Sequence, residues 1–244
     1  MNFILPPTNL ILARDDVHVW RASLGQNSLC LEELAATLSP DEKNRADRFH
    51  FERDRQRFIV GRGILRNILS RYLNIAANQI EFAYSSRGKP ALGGTCSDYK
   101  LQFNLSHSQD LAVYAITRDR LIGIDIEYMR SILDAEQIVN RFFSQNEQLV
   151  FSKLASNHKE IAFFHAWTQK EAFLKATGDG LAGNLDQIEV SLIPGEPAKL
   201  LSIPGDRQPS QSWLLHNFKP APDFLAAVAI KGIGLAINYW QWEF

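Results

Sequence analysis

Apolar positions change their period along this chain, and the period predicts the element. Val17-His18-Val19-Trp20 alternates as a strand does, whereas residues 29–38 repeat with helical spacing. Ser39-Pro40-Asp41-Glu42 opens a further helix, with Ser39 as N-cap, Pro40 at the first helical position and Glu42 completing a capping box. The helical pattern then runs over residues 43–71. Gln79-Ile80-Glu81-Phe82 reads as a short strand and Arg87-Gly88-Lys89-Pro90 as a turn. Phe103-Asn104-Leu105-Ser106-His107-Ser108 leads into a strand over 111–116. In Gly123-Ile124-Asp125-Ile126-Glu127, the isoleucines point to one face, a core, and the two acids share the other.

A short helix follows over 138–143, and Ser144-Gln145-Asn146-Glu147 is another capping box. The helix over about 160–177 carries Phe164, Trp167, Glu171 and Leu174 on one stripe, so an acid interrupts an apolar face. Gly178-Asp179-Gly180-Leu181 ends it. Residues 194–209, rich in Pro, Gly and Ser, read as loop and hairpin, 224–230 as a buried strand and 239–242 as a final strand.

These elements come twice, at an offset of about 105 to 113 residues. Gln79-Ile80-Glu81 with Gly88-Lys89-Pro90-Ala91 matches Gln187-Ile188-Glu189 with Gly195-Glu196-Pro197-Ala198. The capping box at Ser39 matches that at Ser144, and Asp110-Leu111-Ala112-Val113 resembles Asp223-Phe224-Leu225-Ala226. The expected fold is α+β, a pseudo-twofold duplication of two halves, 1–120 and 121–244, each a small antiparallel sheet packed with helices. Aligned this way, Arg62 stands opposite Glu171, and His18 and Trp20 stand opposite Asp125 and Glu127. Acids gather in the second half and bases in the first.

Composition narrows the class. A net charge of −1 gives no global pull toward nucleic acid or a membrane. Cys30 and Cys96 are too few for a disulfide framework and fit a reducing cytoplasm. No signal peptide and no span long enough for a bilayer is read, so a soluble cytoplasmic protein is expected. Yet residues 43–71 are strongly basic within this neutral chain, with Arg45, Arg53, Arg57 and Arg62 among them. A solvated helix face accounts for most of these arginines, and some can bind a phosphate. Asp125 and Glu127, side by side, repel unless a cation is present, and hard oxygen ligands suit Mg²⁺ or Mn²⁺. A cleft with a metal on one wall and cations on the other suits a polyphosphate substrate.

Five blocks in order resemble the Sfp-type 4′-phosphopantetheinyl transferases: the basic Arg45 to Arg66 region, Gly88-Lys89-Pro90, Phe103-Asn104-Leu105-Ser106-His107-Ser108, Gly123-Ile124-Asp125-Ile126-Glu127, and Trp167-Thr168-Gln169-Lys170-Glu171-Ala172-Phe173-Leu174-Lys175. The resemblance implies transfer of 4′-phosphopantetheine from coenzyme A to a serine of an apo acyl or peptidyl carrier protein, releasing 3′,5′-ADP. Such carriers serve fatty-acid, polyketide or non-ribosomal peptide synthesis. It implies that Asp125, Glu127 and Glu171 hold Mg²⁺, and that Glu171 deprotonates the serine, directly or through water. It implies that Lys175 stabilises charge in the transfer, and that Asp125 and Lys170 lie at the cofactor. Gly88, Lys89 and Pro90 would flank the adenosine, and Ser106, His107, Arg45 and Arg53 would meet phosphates. The segment 178–206 resembles the carrier-docking region, and the duplicated length implies a monomer. A Mg²⁺-dependent hydrolase of coenzyme A or a nucleotide, without a protein acceptor, is the alternative reading.

Overall fold

The computed structural model describes residues 2–25, 28–178, 185–206 and 208–244. The first half runs β1 (Asp16–Ser23), α1 (Ser28–Thr37), α2 (Pro40–Ala46), α3 (Glu52–Leu73), the hairpin β2 (Phe82–Tyr84) and β3 (Pro90–Leu92), then β4 (Leu101–Ser108) and β5 (Leu111–Arg118). The second repeats the order: β6 (Ile122–Tyr128), α4 (Ala135–Phe142), α5 (Gln145–Lys153), α6 (Ser156–Thr177), the hairpin β7 (Glu189–Val190) and β8 (Leu200–Ser202), then β9 (Trp213–Phe218) and β10 (Phe224–Lys231). The sheets match as well, β1-β5-β4 beside β6-β10-β9. A last strand, β11 (Ala236–Gln241), leaves the second half and pairs in parallel with β1, so the first sheet is not purely antiparallel.

Why the sheets stack follows from alternation. Along β5, Ala112, Tyr114 and Ile116 face the core beneath α3, while Val113 and Ala115 face the other sheet. Along β10, Leu225, Ala227 and Ala229 face α6, while Ala226, Val228 and Ile230 meet Val113 and Ala115. Strands buried on both faces need near-continuous apolar runs, as Leu111 to Ile116 and Phe224 to Ile230 provide. The layers are therefore helix, sheet, sheet, helix, and the seam between the sheets runs past β4 and β6.

The duplication extends to single bonds. Glu42 of the first capping box pairs with Arg66 of α3 at 2.7 Å, and Arg66 also donates to the carbonyls of Ala77 and Ile80. Glu147 of the second box pairs with Lys170 of α6 at 2.6 Å, and Lys170 donates to the carbonyls of Leu185 and Ile188. These donations explain a departure from the sequence reading. Of the expected strand over 79–82, Gln79 instead ends a 3₁₀ turn over 77–79, matched by one over 185–187, because carbonyls given to a buried cation cannot join a ladder, and β2 begins only at Phe82.

Four other expectations shift. The basic run is not one helix, since it breaks over 47–51, where Phe51 takes extended backbone and Phe49 turns back onto Phe58. The Asn104–Ser108 block lies inside a strand, not before one, and α6 starts at Ser156 rather than near 160. The alignment of the halves also changes. Leu24 N–H bonds Asp110 O as Met129 N–H bonds Asp223 O, which sets Trp20 opposite Asp125 and Ala22 opposite Glu127. The left-handed caps Asn74 and Gly178 set Asn67, not Arg62, opposite Glu171.

Candidate active site

The acids are placed by β6 and α6. Ile122, Ile124 and Ile126 enter the core between the sheets, so Asp125 and Glu127 face α6. Asp125 is buried and Glu127 half-buried, while Glu171 projects from α6 at 8% exposure. Lys175, one turn beyond Glu171, puts its ammonium 2.5 Å from Asp125 Oδ1 and 2.9 Å from Ser106 Oγ. Ser106 donates to Asp125 Oδ1 at 3.1 Å.

β4 is fastened to β6 by side chains rather than by a ladder. Asn104 Oδ1 accepts from Ile124 N–H, and Ser108 Oγ accepts from Tyr128 N–H, with Ser106 on Asp125 between them. Asn104, Ser106 and Ser108 share one face of β4, so alternation gives the first half three polar rungs onto the acidic strand. The sequence reading named Ser106 but missed Asn104, whose signal was its period-two spacing from Ser106.

Burial sets the proton affinity of the acids. Glu171 is pushed up to about 7, first by burial and then by the charge of Asp125, with Glu127 adding and Lys175 opposing. Glu127 is raised by burial and then by Asp125. Asp125 Oδ2 and Glu171 Oε1 are buried with no hydrogen-bond partner. Among the described residues, no three His, Cys, Asp or Glu groups converge as a ready metal cage. The close partner of Asp125 is the Lys175 ammonium. Even so, two orphaned carboxylate oxygens beside the Glu127 carboxylate are the donor chemistry a hard divalent cation takes.

Two adjoining hollows that share Gly88 and Leu105 form a trench running from Lys175 into the first half. Its inner part is lined by Gly88, Lys89, Leu105, Leu174 and Lys175. Its outer part is lined by Arg45, Arg57, Phe58, Arg62, Gly88 and His107. Gly88 turns with φ +78°, a conformation that favours glycine, and it borders both parts. Arg62 is buried against Phe58, Phe82 and Tyr84, with one guanidinium nitrogen unpartnered. His107 still reaches solvent, yet its surroundings hold it below its ordinary value, as do Lys175 and Arg57. Beyond the acids, Glu127, Ile132, Leu133, Phe164 and Trp167 line a further groove.

Not every expected site residue comes here. Arg53 projects from α3 into solvent beside Asp54 and borders none of these cavities, whereas Arg57, one turn on, lines the trench. Lys170 is wholly buried in its pair with Glu147, away from the trench. Pro90 is buried at the start of β3, opposite Tyr84. The ammonium of Lys89 is taken up by three backbone carbonyls. Of the segment 178–206, residues 179–184 lie outside the described residues.

At the position equivalent to Asp125, the first half holds an aromatic ring. Trp20 replaces Asp125, and Arg71, the counterpart of Lys175, lies 5.5 Å from the Trp20 ring. The twin of an ion pair is thus a cation–π contact. Only the second half keeps the acids.

Comparison with known proteins identifies the family. Residues 121–229 match the 4′-phosphopantetheinyl transferase superfamily, and residues 19–118 match the 4′-phosphopantetheinyl transferase N-terminal family. The chain is 47% identical over 236 residues to the 4′-phosphopantetheinyl transferase HetI of Nostoc sp. strain PCC 7120, covering 97% of this chain and 96% of that one. It is 35% identical over 162 residues to the 4′-phosphopantetheinyl transferase psf-1 of Bacillus pumilus, covering 66% of this chain and 67% of that one. The solved holo-[acyl-carrier-protein] synthase of Thermotoga maritima matches 46% of this chain and 62% of its own, at TM-score 0.34 and 23% identity. Two family matches that tile both halves, and a relative nearly half identical from end to end, place the chain in the 4′-phosphopantetheinyl transferase superfamily, and its reaction is transfer of 4′-phosphopantetheine from coenzyme A to a carrier-protein serine.

Proposed function

We propose that the trench holds coenzyme A across the seam, with its phosphates against the cations of the first half and its reacting pyrophosphate at Asp125, Glu127, Glu171 and Lys175. The observation that carries this reading is the meeting of Lys175, Asp125 and Ser106 at the inner end of a trench whose outer end is cationic. Asp125, Glu127 and Glu171 would hold Mg²⁺, or Mn²⁺, which would supply charge neutralisation on the pyrophosphate.

Phosphoryl transfer asks the protein mainly for positioning and charge. Arg45, Arg57 and Arg62 orient the anionic end of coenzyme A, and Lys175 meets charge that grows as the phosphorus–oxygen bond to the 3′,5′-ADP leaving group breaks. Glu171, raised by burial and then by Asp125 to about 7 in the metal-free chain, is the candidate to take the serine proton directly or through water. The groove beyond Glu127 and the surface after α6 would receive the carrier, and the fused halves would act as a monomer. No helix among the described residues is long and apolar enough to cross a membrane, and a cytoplasmic location is part of this reading.

The test combines apo-carrier protein, coenzyme A and Mg²⁺, with the carrier followed by mass spectrometry. A gain of one phosphopantetheine group, lost with EDTA and regained with Mg²⁺, is expected. Coenzyme A cleavage at equal rate with and without carrier would overturn it in favour of a hydrolase.

A further inference from the structure

Lys89 follows the Gly88 turn of the first half, but its ammonium works on the second. It donates to Lys175 O at 2.6 Å, Ala176 O at 3.0 Å and Ile122 O at 3.2 Å. Two of these carbonyls belong to the last turn of α6, where intrahelical donors run out and a cation is favoured by the helix dipole. The third is the first residue of β6. The residues carrying these carbonyls lie close to the site: Lys175 bears the ammonium that pairs with Asp125, which stands three residues beyond Ile122.

The helix and the strand also touch here without side chains between them. A Cβ on Gly123 would collide with the backbone of Ala172, Lys175 and Ala176. Gly123 thus allows α6 to lie directly on β6, and Lys89 pins the same turn from the side. In the other half, the residue matching Lys89 in sequence is Glu196, which is exposed and acidic. The pin serves only the helix that carries Glu171 and Lys175.

We infer that Lys89 is a positioning residue: its ammonium fixes the last turn of α6 against the start of β6, and so holds Lys175 and Glu171 against Asp125. This rests on the proposed reading of those three groups as the reacting site. It differs from the role that sequence resemblance gives Lys89, because all three donor directions of its ammonium are spent on protein carbonyls rather than left for the nucleotide. Burial lowers the ammonium to about 8, consistent with a group enclosed by protein.

The test compares Lys89→Met, Lys89→Gln and Lys89→Arg with the parent enzyme in the transfer assay, together with amide exchange over the end of α6. Both neutral variants are expected to lower kcat at least tenfold while KM for coenzyme A stays within twofold. Lys89→Arg, which keeps the charge and donors, should retain more kcat than either. Exchange at Gly178, whose N–H bonds Leu174 O, should speed up in the neutral variants. A tenfold rise in KM with kcat kept would make Lys89 a ligand contact and overturn the inference. So would loss of thermal stability with normal kcat below the transition. Should the parent enzyme itself transfer nothing, the reading of the site fails first, and the Gly178 exchange result still judges the pin.

Discussion

Lys175 and Asp125 form an ion pair at 2.5 Å that uses only one carboxylate oxygen, leaving Asp125 Oδ2 buried and unpartnered. Glu171, on the same helix as Lys175, also ends in a buried oxygen without a partner. Lys175 and, toward Glu127, Arg130 oppose three clustered acids, and the charge of Asp125 raises Glu171 and Glu127 further after burial has acted.

Glu171→Gln tests this rise directly. With its proton affinity raised to about 7, Glu171 binds a proton in the folded chain over a range, from about 4.5 to about 7, where the unfolded chain has released it. Stability is therefore lost as pH rises through that window, and at pH 8 the ionised acid costs about 3 kcal/mol. The neutral amide removes that cost. Without metal at pH 8, Glu171→Gln should be more stable than the parent in urea denaturation, with the gap shrinking toward pH 5. Its transfer rate should fall at least 100-fold. A variant both inactive and less stable at pH 8 would contradict the assignment.

On the cationic wall, Arg57 rather than Arg53 should decide affinity for coenzyme A. Arg57 lines the trench and is held by Asp110 at 2.8 Å, whereas Arg53 points to solvent. A charge-assisted phosphate contact is worth about 1.5–3 kcal/mol, or roughly 10- to 100-fold in affinity. Arg57→Ala should raise KM for coenzyme A by that factor, and Arg53→Ala should raise it by an order of magnitude less. Equal effects would return Arg53 to the site.

Much of this was written in local signals. Capping boxes, strand alternation and the Gly88 turn each depend on a few neighbouring residues, and they located the repeated elements and the acidic strand. What failed depended on distant groups. Residues 79–82 look like a strand until Arg66 claims the carbonyls of Ala77 and Ile80 from α3. Lys170 sits beside Glu171 in sequence, but adjacent helical positions face different ways, and this one faces Glu147. Lys89 lies in a motif that reads as a ligand turn, and only the packed halves bring three carbonyls to its ammonium.

The paired cores give a stability prediction. Lys170 is unexposed, and Glu147 sits at 2% exposure. Removing one partner leaves a buried charge alone and costs about 3–5 kcal/mol. Lys170→Met should therefore lower stability by that much in urea denaturation, and Lys170→Met with Glu147→Gln should recover part of the loss, because the pair is coupled. Additive losses would show that Lys170 acts elsewhere, as at a bound cofactor.

His18 supplies the acid limb. It is 2% exposed, and Trp20 Nε1 and His18 Nδ1 both lie 2.8 Å from Tyr72 Oη. The indole can only donate, so the tyrosine hydroxyl accepts from Trp20, and with His18 Nδ1 unprotonated the tyrosine O–H is the donor to that nitrogen. Protonating that nitrogen would set donor against donor in a buried place. Accordingly the imidazole falls to about 4, chiefly through burial, with Asp16 opposing. Between about 6.5 and about 4 the unfolded chain takes up a proton that the folded chain refuses, so stability is complete above that window and declines as pH falls through it. The loss from this group alone is on the order of 3 kcal/mol. His107, His165 and His216 are lowered in the same direction, so the parent curve sums several groups. His18→Asn isolates one, because its amide oxygen can accept from Tyr72 and does not titrate. The variant's stability should decline less steeply than the parent's from pH 6.5 to pH 4, measured by urea denaturation at each pH. Parallel curves would mean that His18 is already protonated in the folded chain.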